Sequence, residues 1–180
     1  MKIICVLGSP REASNSTAVA RRLLAGAEEN GHEVKIYKLN DMDVRGCQGC
    51  RFCKENDVDC IVKDDLLGYW KELHECGALV VAAPNYASYP CGPAITYMNR
   101  HYCLIDKNWT PRIKPGIKLV GIFSQGQSDR EKYAPAYKWL LGDFQNRGMV
   151  LVDTIVHTRG DSLDGDGELM RRAYEVGKSL

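Results

Sequence analysis

Short apolar runs alternate with amphipathic stretches along the chain, and this rhythm constrains the fold more than any single motif. Lys2–Leu7 is a continuous apolar run that ends in Gly8-Ser9-Pro10, which predicts a strand entering a turn. Residues 16–30 place Val19, Ala20, Leu23, Leu24 and Ala27 on one helical face, closed by Gly31. The pattern predicts further strands over 33–39, 78–83, 118–123 and 149–156. Helices are expected from Asp64 onward and over 92–104, 131–147 and 168–180. Five strand–helix units, with no internal repeat and no second composition regime, predict one α/β domain over residues 1–180. The expected core is a doubly wound, five-stranded parallel sheet covered by helices on both faces.

Five such strands fit the flavodoxin-like order 2-1-3-4-5, in which ligands sit beyond the carboxyl ends of the strands at the switch point. The site is then expected in the loops at 8–17, 84–92 and 124–130. The first loop has no Gly-Lys-Ser/Thr and no G-x-G-x-x-G, which disfavours ATP and a Rossmann dinucleotide. It does carry Ser9, Arg11, Ser14, Asn15, Ser16 and Thr17 where a strand joins a helix. Free helix N–H groups, hydroxyls and a guanidinium suit a phosphate; ordinary N-capping by Ser14 or Asn15 is the plainer alternative. The second loop, Pro84-Asn85-Tyr86-Ala87-Ser88-Tyr89-Pro90, is a stiff aromatic edge able to pack on a flat ring. The third, Ser124-Gln125-Gly126-Gln127, permits close backbone approach and adds amides.

Charge narrows the partners. Lys plus Arg is 24 and Asp plus Glu is 23, a net +1, which gives no electrostatic footprint for nucleic acid or an anionic membrane. No apolar stretch approaches the roughly 18 residues of a membrane span. The first residues show no apolar signal segment, so a cytoplasmic protein is expected. Eight cysteines are many for such a chain, and Cys47, Cys50, Cys53 and Cys60 crowd into one loop at 47–60 with spacing C-x2-C-x2-C-x6-C. In a reducing compartment that clustering points to metal or redox chemistry. Three thiolates at x2 intervals can wrap a compact iron-sulfur cluster, whereas structural zinc usually takes two separate knuckles. The loop follows the second strand and is expected at the same sheet edge as the first loop.

Gly-Ser-Pro-Arg with Ser-Asn-Ser, then Cys-x-Gly-Cys-x-x-Cys…Cys-x-x-x-Asp-Asp, then Pro-x-Tyr, resembles the flavodoxin-fold NAD(P)H-dependent FMN reductases. Within them it resembles most the iron-sulfur flavoproteins. The resemblance rests on residues 8–17, 47–65 and 84–100; beyond Gly116 only the fold rhythm matches. It implies FMN, with the phosphate at Ser9, Arg11, Ser14, Ser16 and Thr17. The ring is implied near Pro84, Asn85, Tyr86 and Ala87, flanked by Ser124 to Gln127. It also implies a [4Fe-4S] cluster on Cys47, Cys50, Cys53 and Cys60, and a homodimer or homotetramer. Where many relatives carry Leu-Lys and later Asp-Arg, this chain has Ala94-Ile95 and Asn99-Arg100.

The candidate cofactor-binding set is therefore Ser9, Arg11, Ser14, Asn15, Ser16, Thr17, Pro84, Asn85, Tyr86, Ala87, Ser124, Gln125 and Gly126. No catalytic acid or base is expected, because a flavin supplies its own chemistry. Cys5, Cys76, Cys91 and Cys103 read as buried hydrophobes. Asp64 and Asp65 read as helix caps. His32, His74, His101 and His157 have no ligand spacing. The stretch from Arg100 to Lys114 is a lid or a plain connector. Three functions are carried forward. One is an FMN-binding oxidoreductase fed by NAD(P)H, and another is an iron-sulfur flavoprotein fed by ferredoxin. The third is a zinc-stabilised binding module without redox activity.

Overall fold

The computed structural model describes residues 1–180. Its strands are β1 (Lys2–Leu7), β2 (Glu33–Lys38), β3 (Ala78–Tyr86), β4 (Tyr89–Pro90), β5 (Lys118–Ser124) and β6 (Val150–His157). Its helices are α1 (Asn15–Glu29), α2 (Phe52–Asn56), α3 (Tyr69–Glu75), α4 (Gly92–Arg100), α5 (Ala134–Gln145) and α6 (Glu168–Ser179). The five long strands run parallel in the order β2-β1-β3-β5-β6, the expected doubly wound arrangement. No helix is long and apolar enough to cross a membrane.

Side-chain alternation splits the core into two layers, one on each sheet face. Ile4 and Val6 of β1 and Leu79, Val81 and Ala83 of β3 face the layer covered by α3, α4 and α5. Ile3, Cys5 and Leu7, with Ala78, Val80 and Ala82, face α1 and α6. A run apolar at every position is what a strand buried on both faces needs.

Three expectations are corrected. The sheet has six strands, because β4 returns antiparallel on the end of β3, pairing Asn85 with Pro90 and Tyr86 with Tyr89. The turn between them holds Ala87 at φ 49° and Ser88 at φ 73°. Two left-handed residues mark a hairpin turn that usually announces itself with Gly or Asn, and neither is present. The helix expected from Asp64 begins only at Tyr69, after a run of turns, and the one expected over 92–104 ends at Arg100 and tightens to 3-10 geometry over His101–Leu104.

Helices α1 and α6 pack backbone to backbone. A Cβ on Gly177 would lie 1.9 Å from the Leu23 carbonyl oxygen, and one on Gly26 would lie 2.2 Å from that of Tyr174. Neither carbonyl can swing aside without breaking its helix, so the helices would have to separate. Gly177→Ala is expected to destabilise the protein by about 1–3 kcal/mol by overpacking. Gly165→Ala, with nothing within 4 Å of the added atom, should change stability by less than about 0.5 kcal/mol. Urea unfolding of the two variants checks this, and equal midpoints would show that the helix pair has room to spare.

Candidate functional site

The loops that follow β1, β3 and β5 meet at the carboxyl edge of the sheet. They enclose an open cleft of about 200 Å³ lined by Ser9, Arg11, Ser14, Asn15, Pro84, Asn85, Tyr86, Ser124, Gln125 and Gly126. Ten of the candidate residues are thus brought together, and the cleft has no carboxylate in its lining. The remaining three lie at its margins. Ser16 is fully buried beneath it, with its Oγ 3.0 Å from that of Ser14. Ala87 sits in the strained hairpin turn. Thr17 faces an adjoining hollow of about 270 Å³ that shares Ser9 and Arg11 with the cleft and adds Arg21 and Lys38 together with the carboxylates of Glu12 and Asp41.

The first helix starts as an anion site would. Ser14 occupies the N-cap position in extended geometry, yet its side chain makes no capping hydrogen bond. The first intrahelical bond runs from the Ala18 N–H to the Ser14 carbonyl at 2.8 Å. The N–H groups of Asn15, Ser16 and Thr17 therefore have no acceptor within the helix. The plain capping alternative is not realised here.

The opposite wall is fixed from behind. Tyr137 stacks on Phe123 with centroids 4.1 Å apart and donates its hydroxyl to Gln125 Oε1 at 2.8 Å. Burial pushes the Tyr137 phenol up to about 12. The Gln125 N–H donates to the His157 carbonyl at 2.9 Å, and Asn15 Nδ2 donates to His157 Nδ1 at 3.3 Å. Asn85 Nδ2 is buried without any partner. An orphaned donor in the wall of a cleft is what an absent polar ring edge leaves behind. Tyr86 is half exposed at the mouth, and Tyr89 and Trp139 form an exposed aromatic pair nearby.

Sequence reasoning missed His157, Arg21 and Lys38. His157 carries no motif, and only its place at the end of the last parallel strand could have marked it. Arg21 lies four residues beyond Thr17, on the same face of α1.

The four motif cysteines line a second, tighter cavity together with Arg51, Arg100, Tyr102 and a fifth thiol, Cys103. Gly49 at φ 64° and Arg51 at φ 57° turn the loop back on itself, and α2 carries Cys53 inside. All eight cysteines are free thiols. Burial pushes the Cys53 thiol up, and that of Cys103 up to about 12. No three His, Cys, Asp or Glu side chains converge on a point that could hold one metal ion. An iron-sulfur cluster takes one thiolate per iron, so its sulfurs need to share a cavity without converging.

The loop leaves β2 at the same carboxyl edge as β1, with which it runs parallel, and its cavity is distinct from the cleft. The cavity shares no lining residue with the cleft and lies against the far end of α4. The near end of that helix touches the first loop, where Cys91 Sγ donates to the Gly8 carbonyl at 3.1 Å. Nine helical residues make α4 about 13 Å long. Asp64 and Asp65 do not cap a helix, since α3 begins at Tyr69 with Gly68 at its N-cap position. Asp64 forms a fully buried ion pair with Arg100 and accepts the N–H of Arg45 at 3.1 Å, while Asp65 accepts that of Asp43 at 2.7 Å. Both therefore pin the segment entering the cysteine loop. The Arg100–Lys114 stretch packs partly inside, with Arg100, His101, Cys103 and Leu104 buried, as a connector would.

The sequence profile of the NADPH-dependent FMN reductases matches residues 1–153. The chain belongs to that family. An iron-sulfur flavoprotein of Methanocaldococcus jannaschii is 34% identical over 86 residues, which cover 48% of this chain and 44% of the relative. One from Archaeoglobus fulgidus is 26% identical over 128 residues, covering 67% of this chain and 62% of the relative. The matches thus span about half of the curated relatives' length. Among solved structures, the NAD(P)H:quinone oxidoreductase of Methanothermobacter marburgensis superposes with a TM-score of 0.77 at 16% identity, covering 100% of this chain and 96% of that one. A flavodoxin from the domain Archaea gives 0.60 at 17% identity, with 99% and 95% covered. Both show the flavodoxin-like fold.

Proposed function

We propose that this chain is one FMN-binding domain of an oxidoreductase that takes electrons from NAD(P)H and passes them to a second acceptor. The observation that carries this reading is the cleft itself. Three loops, distant in sequence, deliver hydroxyls, amides, a guanidinium and an uncapped helix start to one carboxylate-free hollow. Bound FMN would supply hydride acceptance and release of electrons in one- or two-electron steps. Ser9, Arg11, Ser14, Asn15, Thr17 and the N–H groups at the start of α1 would hold the phosphate. Pro84, Asn85, Tyr86 and Ala87 on one side, and Ser124, Gln125 and Gly126 on the other, would hold the ring edge. The half-exposed Tyr86 lies at the cleft mouth, where a nicotinamide would approach a bound flavin. This scheme asks no side chain to move a proton.

A second reading extends the first. Cys47, Cys50, Cys53 and Cys60 would ligate a [4Fe-4S] cluster, whose chemistry is one-electron transfer, and the donor would be ferredoxin in place of the nicotinamide. It is favoured by the shared cavity and by the curated relatives, which are named iron-sulfur flavoproteins. The free thiols suit a reducing cytoplasm. The exposed Tyr86, Tyr89 and Trp139 suit a face shared between copies in a homodimer or homotetramer.

The test is one anaerobic preparation on which flavin, iron, sulfide and zinc are quantified, followed by reduction with NADH, NADPH and reduced ferredoxin. One FMN per chain and bleaching by a nicotinamide are expected. Four irons and four sulfides per chain would add the cluster. Colourless protein carrying stoichiometric zinc and binding no flavin would overturn both readings.

A further inference from the structure

Lys54 follows the third cysteine of the motif and is buried, only 5% exposed, although an ammonium is costly to remove from water. Other buried cations here are paired, Arg100 with Asp64 and Arg147 with Asp143. Lys54 has no ion-pair partner. Its ammonium donates to the Tyr102 carbonyl at 2.6 Å and to that of Ile105, and lies 4.0 Å from the centre of the Tyr102 ring. These carbonyls close a short helical segment and offer only partial negative charge. In the adjoining cavity Arg100 is neutralised by Asp64, while Arg51 lines it with no carboxylate in the lining. The unpaired Lys54 ammonium therefore lies against Tyr102, a wall of the cavity that the four motif thiols share.

We infer that Lys54 is a built-in counter-charge for an anionic iron-sulfur centre held by Cys47, Cys50, Cys53 and Cys60, and that it favours the one-electron-reduced form of that centre. The inference rests on the second reading above. Four thiolates around an iron-sulfur core carry net negative charge, and each added electron increases it. A buried cation a residue away attracts that charge through a low dielectric. Lys54 is thus a positioning and tuning residue that nothing in the motif spacing reveals.

The alternative is that Lys54 merely ties the Tyr102 and Ile105 carbonyls, which would affect stability and leave the potential alone. Wild type, Lys54→Met, Lys54→Gln and Lys54→Arg would be reconstituted anaerobically with ferrous iron and sulfide. Each would be titrated with dithionite, the reduced centre being followed by its low-temperature EPR signal. Lys54→Met is expected to lower the equilibrium constant for reduction about tenfold, about 59 mV for a one-electron couple. Lys54→Arg should restore it. If Lys54→Met does not fold, Lys54→Gln makes the same comparison. Iron-loaded neutral variants with the wild-type potential would overturn the inference and leave the cluster reading standing. Wild type that takes up no iron would overturn the cluster reading, and the inference with it.

Discussion

Asp64→Ala is expected to destabilise the protein by about 3–5 kcal/mol, because it strands a buried charge. The Asp64 and Arg100 side chains are both wholly inaccessible to solvent, and Arg100 has few other partners. Its Nη1 also donates to the Arg45 carbonyl at 2.8 Å, but its Nε has no partner at all. Without the carboxylate the guanidinium stays in a dry site with one neutral acceptor. The N–H groups of Arg45 and Leu66, each 3.1 Å from an Asp64 oxygen, lose their acceptor as well. Arg100→Met should cost a similar amount for the mirrored reason. The double variant Asp64→Leu/Arg100→Met should recover most of the loss, since an apolar pair asks for no solvation. Urea unfolding of the four proteins at neutral pH decides the matter, and a loss below about 1 kcal/mol for Asp64→Ala would show that water reaches the pair.

The pair also sets a pH dependence. Burial works to raise the Asp64 carboxyl, but the Arg100 guanidinium and the Arg45 and Leu66 N–H groups outweigh it and hold it below its ordinary value. A depressed carboxyl binds fewer protons folded than unfolded. Its stabilisation is therefore complete above the unfolded value of about 3.9 and is lost as pH falls through the lower, folded value. The acid limb of the wild-type stability curve should be shallower in the double variant.

What was legible in the sequence and what was not divide along range of interaction. Runs such as Lys2–Leu7 and Ala78–Ala83 declare themselves because every residue of a strand buried on both faces must be apolar. The parallel order then follows from alternation, and with it the three loops that form the cleft. The β4 hairpin was hidden because Ala87 and Ser88 adopt left-handed geometry that their side chains do not advertise. The Arg100–Asp64 pair was hidden because 36 residues separate its members, and no local pattern reports a contact made only in the folded state. Cys103 and Lys54 were hidden for the same reason. One has no motif spacing, and the other is a lysine in a polar loop whose burial depends on carbonyls about fifty residues away.

Ser14→Asp should weaken FMN binding about 100-fold while leaving riboflavin binding unchanged. In the present structure Ser14 holds the N-cap position without capping, which leaves the first-turn N–H groups of α1 for a ligand. A carboxylate there would accept those N–H groups itself and match the positive helix end, so the flavin-free protein should become more stable by about 0.5–1 kcal/mol. The same carboxylate would repel the FMN phosphate and take its donors. A 100-fold loss amounts to about 2.8 kcal/mol, within reach of one like-charge contact about 4 Å away near a protein surface. Riboflavin has no phosphate and tests the ring site alone. Calorimetric titration of both flavins into both proteins separates the outcomes. If both flavins weaken together, the substitution has disturbed the ring wall and says nothing particular of phosphate. If neither weakens, the phosphate lies in the adjoining hollow, and Arg21 and Lys38 become the residues that hold it.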